Sequence, residues 1–262
     1  MLTFNQYRKV ESLEEAYELN QKKANKIIGG MLWMKMGKRN IGTAIDLSGL
    51  GLDQITETED SFVIGCMATL RDLELHQGLN DYTNGAIRES VRHIVGVQFR
   101  NVGTVGGSIF GRFGFSDVLT MFMALDSYVE LYKGGMVPME TFARMKPDND
   151  ILVNIIVKKT PMKVVYMSHR NTKTDFPVIA CAVSQTEEGT KAVIGARPYR
   201  AISVCDTEGI LKDGITKETA VEFGAYVAAN VKTGSNMRGS QEYRTHLTKV
   251  LVRRACLALG GE

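Results

Sequence analysis

Hydrophobic and polar positions alternate in short runs through most of this chain, and only near its end do they settle into long helical periods. Ser12-Leu13-Glu14-Glu15 has capping-box spacing and predicts a first element that is a helix running to about Gln21. Lys26-Ile27-Ile28 is a brief apolar run stopped by Gly29-Gly30, the pattern of a strand delivering the chain into a turn. Residues 43–47 and 61–64 read as further strands, and Thr69-Leu70-Arg71-Asp72 caps a helix ending near Gly78. Ile87, Val91, Ile94 and Val95 fall at helical spacing and predict a helix over 82–95 that leads into a glycine-rich stretch. Ser116 stands before the nearly continuous apolar residues Val118, Leu119, Phe122, Met123 and Leu125, which predict a buried helix. Strands over 129–132 and 151–157 complete this half.

The character changes at Lys158-Lys159-Thr160-Pro161, where a basic pair and a proline separate two apolar runs. Residues 164–168, 177–184 and 191–196 alternate well enough for a small antiparallel sheet, and 216–231 and 241–259 are the longest helical segments. The fold class is therefore α+β.

Composition narrows the chemistry. A net charge of +3 from 32 basic and 29 acidic residues leaves no electrostatic footprint for nucleic acid. Cys66, Cys181, Cys205 and Cys256 form no CxxC pair and lie near no histidine, so they read as buried reduced thiols with no zinc or iron–sulfur site. The N-terminus lacks a basic-then-apolar leader, and no apolar run reaches the roughly 18 residues that span a bilayer, so the expected location is cytoplasmic, without membrane or nucleic-acid partners.

Glycine is the conspicuous signal. Six of the nineteen residues from Gly96 to Gly114 are glycine, and glycine lets backbone amides approach an anion closely. No GxxxxGK[ST] or Rossmann GxGxxG is present, and Gly106-Gly107-Ser108-Ile109-Phe110 falls short of the GxSxG elbow. What remains is a pair of strand-end turns, Gly29-Gly30 and Thr104-Val105-Gly106-Gly107-Ser108, which are either tight turns of a core or two jaws around a diphosphate.

Taken in order, Lys26-Ile27-Ile28-Gly29-Gly30, Ile45-Asp46-Leu47, Ile64-Gly65-Cys66-Met67-Ala68-Thr69-Leu70-Arg71-Asp72-Leu73, Arg100-Asn101-Val102-Gly103-Thr104-Val105-Gly106-Gly107-Ser108 and Ser116-Asp117 resemble the FAD-binding subunit of molybdenum hydroxylases. This is the xanthine, carbon monoxide and nicotinate dehydrogenase group. The resemblance continues through Arg170, Asp175-Phe176 and Arg200-Ala201 to Met237-Arg238-Gly239-Ser240-Gln241-Glu242-Tyr243-Arg244. It implies a PCMH-like FAD-binding domain over 1–160, with subdomains of about 1–50 and 51–160, and a C-terminal domain over 161–262.

It further implies that Ile27, Ile28, Gly29, Gly30, Met31, Leu32 and Trp33 form one FAD loop and Gly103, Thr104, Val105, Gly106, Gly107 and Ser108 the other. Asp117, Ile94, Asp175 and Tyr199 join them as further cofactor contacts, with Arg197 facing the acceptor. Iron–sulfur clusters and molybdopterin belong, on this likeness, to a small and a large partner subunit, and electrons leave through FAD to NAD+ or a similar soluble acceptor. Two positions depart from the family pattern: Met31 stands where Thr is usual and Ser108 where Asn is usual. Beside this reading stand a self-contained flavoenzyme of the same fold and a scaffold subunit that has lost FAD. Arg100 reads equally as the member of an ion pair, and Arg238 as structural or as a subunit contact.

Overall fold

The structure, a computed structural model, describes residues 1–261. The chain opens on a strand, β1 (Thr3–Lys9), and not on the expected helix, α1 (Leu13–Asn20), which follows it with Ser12 as cap. Every residue of β1 is exposed, so no inward face leaves the alternation by which a half-buried strand is recognised. β2 (Lys26–Ile28) and β3 (Asn40–Asp46) join it in a parallel sheet of order β1-β3-β2. In open parallel sheets ligands collect beyond the carboxyl ends of the strands. Gly29-Gly30 lies at that end of β2.

The next layer is antiparallel. β4 (Ile55–Glu57) and β5 (Ser61–Gly65) are followed by the short helices α2 (Leu70–Leu75), α3 (Gln77–Tyr82), α4 (Ala86–Val91), α5 (Val97–Arg100), α6 (Val105–Phe110) and α7 (Asp117–Ala124). β6 (Ser127–Leu131), β7 (Gly135–Pro138), α8 (Met139–Arg144) and β8 (Leu152–Lys158) close the sheet in the order β4-β5-β8-β6-β7. The single helix expected over 82–95 is broken. Asn84 and Gly85 both adopt left-handed backbone, with φ of 48° and 79°, so α4 starts only at Ala86. Thr69 caps α2 with a capping box, and α7 is buried along its whole length, as its apolar run predicted.

The remainder is an antiparallel sheet of β9 (Lys163–Arg170), β10 (Pro177–Thr186), β11 (Gly189–Gly195) and β12 (Ile202–Cys205), followed by α9 (Lys217–Asn230) and α10 (Gln241–Gly260). β10 is buried on both faces because its alternate residues enter different cores. Ala180 and Ala182 belong with Met121 and Phe122 of α7, while Ile179, Cys181 and Val183 belong with Phe223 and Leu251 of α9 and α10. This second packing layer fixes α7, and therefore its N-terminus, against the C-terminal sheet.

Three of the cysteines are buried, but Cys205 is exposed, against the expectation of four buried thiols. Burial pushes the Cys66 thiol up to about 12, which keeps it protonated and unreactive. Among the described residues no helix is long and apolar enough to cross a membrane.

Candidate functional site

A cleft of about 890 Å³ opens between the end of β2, the helices α5 to α7 and the turn joining β9 to β10. Its volume lies in the range of small-molecule and cofactor pockets, roughly 300–1,000 Å³. The two glycine segments face each other across it. A Cβ placed on Gly29 would sit 2.7 Å from Thr104 Oγ1, and one on Gly30 would overlap the Val102 carbonyl oxygen. Only glycine permits so close an approach of the two backbones.

The segments are not equivalent. The second, expected to be a strand-end turn, is the N-terminus of α6 with Thr104 as its cap. Its amides are already bonded: Val105 N–H donates to the Ala68 carbonyl, Gly106 N–H to Cys66, Gly107 N–H to Thr104 Oγ1 and Ser108 N–H to the Thr104 carbonyl. Among the described residues the Thr104 hydroxyl accepts but has no acceptor for its own proton, whereas the Ser108 hydroxyl donates back to the Thr104 carbonyl at 3.0 Å. In the first segment, by contrast, no protein acceptor meets the amides of Gly30, Met31, Leu32 or Trp33 among the described residues. Met31 holds a left-handed φ of 53°, which bends this run of donors into a concave turn.

Asp117 lines the cleft from the first turn of α7, where Ser116, not Asp117, is the cap: Ser116 Oγ accepts from Leu119 N–H. Asp117 Oδ1 accepts from Tyr166 Oη and, at 2.6 Å, from Arg170 Nη2, both on β9. Among the described residues Oδ2 receives no side-chain donor, which leaves it able to accept a hydrogen bond. Burial pushes this carboxyl above the usual value, although Arg170 and Tyr166 pull the other way.

The rim is aromatic. Trp33 stacks on Phe176 with centroids 5.2 Å apart, Phe176 stands edge-on to Phe115 at 4.6 Å, and Phe113 lies flat on Phe115 at 5.2 Å. Phe113 and Phe115 escaped the sequence reading, although the Phe-Gly-Phe repeat at 113–115 was the available signal. The lining also includes Lys23, Lys26 and Arg39. Between Leu19 and Ile45 the sequence contains no Asp or Glu.

Of the residues implicated by sequence, Ile27, Gly29, Gly30, Met31, Leu32, Trp33, Ile94, Gly103, Thr104, Gly107, Ser108, Asp117 and Asp175 line the cleft. Ile28, Val105 and Gly106 do not. They are buried beneath it, and Gly106 packs so tightly that a Cβ would lie 2.6 Å from the Cys66 carbonyl oxygen. Tyr199 lies outside the lining as well. Its ring sits against the Arg197 guanidinium and Lys232 Nζ, at 5.3 and 5.5 Å, and Arg197 is engaged by the carbonyls of Arg200 and Lys232.

Arg100 is indeed an ion-pair residue, joined to Glu74 by Nε at 2.7 Å and Nη2 at 3.2 Å, and its Nη1 holds the Ile94 carbonyl on the cleft wall. The C-terminal signature resolves into three tasks. Ser240 caps α10, Arg238 reaches Asp175, and the buried Arg244 ties the 234–239 turn to β10 through the carbonyls of Gly234, Gly239 and Val178.

Comparison with known proteins places the chain in a family. Residues 2–160 match the family described as the FAD binding domain in molybdopterin dehydrogenase, and residues 164–259 match the CO dehydrogenase flavoprotein C-terminal domain. The uncharacterized protein YgfM of Escherichia coli (strain K12) is 25% identical over 256 residues, covering 94% of this chain and 93% of that protein. Among solved structures, a carbon monoxide dehydrogenase chain from Hydrogenophaga pseudoflava superposes with a TM-score of 0.84 at 22% identity, over 97% of this chain and 98% of that one. A chain of quinoline 2-oxidoreductase from Pseudomonas putida 86 gives 0.81 at 15% identity, over 100% of this chain and 97% of that one. At such identities these two likenesses speak for the fold. The first family match spans more than half of the sequence, and the chain belongs to the family of FAD-binding domains of molybdopterin dehydrogenases.

Proposed function

We propose that this chain is the FAD-carrying subunit of a molybdenum hydroxylase complex and that the cleft between the glycine segments is its cofactor site. The observation that carries the reading is the row of amides at 30–33 without protein acceptors among the described residues, on a segment that lines the same cleft as Thr104. Such donors suit a diphosphate, and Asp117 Oδ2 suits the sugar or ribityl hydroxyls beside it. Lys23, Lys26 and Arg39 in the lining add attraction for a dianionic ligand. When bound, FAD supplies the redox chemistry; the protein supplies position, electrostatics and exclusion of water.

The division at about residue 160 is part of the same proposal, with the parallel and five-stranded sheets forming the FAD domain and the last sheet with α9 and α10 the C-terminal domain. A small iron–sulfur subunit and a large molybdopterin subunit would be its partners, NAD+ or a similar soluble acceptor its outlet, and the cytoplasm its location. The carbon monoxide dehydrogenases and quinoline 2-oxidoreductase among the structural relatives support this class of complex. The direct test is the purified chain: it is expected to carry flavin absorbance and to release FAD on denaturation. Colourless protein that takes up no added FAD would sink the proposal.

Met31 sharpens the loss-of-cofactor alternative. Its backbone N–H is open, so the departure from Thr removes a side-chain donor and no amide. The left-handed backbone also makes Thr a poor replacement, because β-branched residues are strained there, while Asn tolerates it. Met31→Asn is therefore expected to tighten FAD binding a few-fold and Met31→Thr to give less or nothing, read by flavin fluorescence titration. A large gain with Thr would contradict the assigned backbone geometry.

A further inference from the structure

One wall of the cleft comes from the turn between β9 and β10, which contributes Thr174, Asp175 and Phe176 to the lining. This turn has little secondary structure to hold it. Arg170 at its base donates through Nη1 to the Asp175 carbonyl at 2.6 Å and through Nη2 to Asp117. What clasps it from outside is Arg238. The guanidinium forms a forked pair with the Asp175 carboxylate, Nη2 to Oδ1 at 2.8 Å and Nε to Oδ2 at 3.1 Å, and lies 4.8 Å over the Phe176 ring. The Arg238 carbonyl accepts from Asn171 Nδ2 at 3.1 Å, so the turn is gripped at both ends.

Arg238 is in turn held by its own loop. The 236–239 turn is closed by reciprocal bonds between Asn236 and Gly239, and Arg244 anchors it through Asn236 Oδ1 at 2.6 Å and the Val178 carbonyl at 2.9 Å. Val178 lies two residues beyond Phe176, so one buried arginine fixes both the clasp and the strand it acts on. Arg238 thus covers one side of Phe176, and Phe176 stacks on Trp33 of the first segment.

We propose that Arg238 is a positioning residue: through Asp175 and Phe176 it holds the 171–176 turn against Trp33, and the C-terminal segment thereby governs how long the cofactor stays in the cleft. The proposal rests on FAD as the ligand for its second half only. A forked, stacked guanidinium is not replaceable by lysine, which offers a point charge without the fork.

Trp33 is the sole tryptophan of the chain, so its emission reads the position of the wall with or without FAD. In the full-length chain, Arg238→Ala and Asp175→Ala are each expected to red-shift and weaken coupling of Trp33 to its apolar surroundings, and to speed FAD release at least tenfold. Arg238→Lys should fall nearer to Ala than to wild type. The double variant should be no worse than either single one, because both remove the same contact. Far-ultraviolet circular dichroism and the melting temperature separate this from unfolding, which would have to precede any loss. Unchanged emission and unchanged release in folded Arg238→Ala would overturn the proposal. If wild-type chain binds no FAD, the functional reading falls while the emission still decides whether Arg238 sets the wall.

Discussion

Gly30→Ala is expected to reduce FAD affinity by up to about a hundredfold while the chain still folds. A Cβ at this position meets the Val102 carbonyl, which is backbone and cannot rotate away, so the two segments must part. Overpacking of this kind costs about 1–3 kcal/mol, and its upper end corresponds to about two decades of binding. The displaced atoms are the open amides of residues 30–33, so the loss falls on the site more than on the core. Gly29→Ala meets only the Thr104 side chain, at 2.7 Å from Oγ1, and should cost less. Titration of apoprotein with FAD, followed by quenching of flavin fluorescence, orders the three proteins. Equal affinities for Gly30→Ala and wild type would show that the segments do not clamp the ligand.

The contrast between these two glycines explains what the sequence made legible. Gly29-Gly30 ends a short apolar strand, and that local pattern was enough to place the turn, because the need for glycine arises where the chain leaves the sheet. The second segment was harder. Gly106 and Gly107 disfavour helix intrinsically, yet Thr104 caps the turn and Gly106 packs on Cys66, so residues 105–110 are helical after all. Tertiary contact outweighed propensity there. It also changed the weight of the two segments, since the carbonyls of Cys66 and Ala68 and the Thr104 cap engage the amides of the second and leave those of the first open.

The aromatic rim and the Asp117 network were illegible for a different reason. Trp33, Phe115 and Phe176 come from three segments separated by more than sixty residues each, and Tyr166 and Arg170 reach Asp117 across about fifty. No local period records such meetings. The ordered motifs suggested which residues mattered, Asp175 of the C-terminal half among them, but not that the β9–β10 turn meets Trp33 through Phe176.

The largest stability effect is expected at Glu74, outside the cleft. Glu74 and Arg100 are both buried, with side-chain exposures of 10% and 5%, and Arg71 adds a second cation at 2.8 Å. Burial acts to raise the Glu74 carboxyl, but Arg100 and Arg71 together outweigh it and leave it below the usual value. Glu74→Ala strands the Arg100 guanidinium in the interior and is expected to cost about 3–5 kcal/mol, the range for breaking a buried pair from one side. That corresponds to a fall in melting temperature on the order of 10 °C. Replacing both partners, as in Glu74→Leu with Arg100→Met, should recover most of the loss, because the penalty lies in the unpaired charge rather than in the missing bond. The pH dependence has a definite sign. A carboxyl whose pKa is lower folded than unfolded contributes its stability above the unfolded value, near 4.3, and loses it as pH falls through the folded value. Wild-type stability should therefore drop on acidification below about pH 4 more steeply than that of the double variant. Because Arg100 also holds the Ile94 carbonyl at 3.2 Å, Glu74→Ala should weaken FAD binding along with the fold, whereas the double variant, restored in stability, should remain weakened at the cleft wall that Arg100 no longer supports.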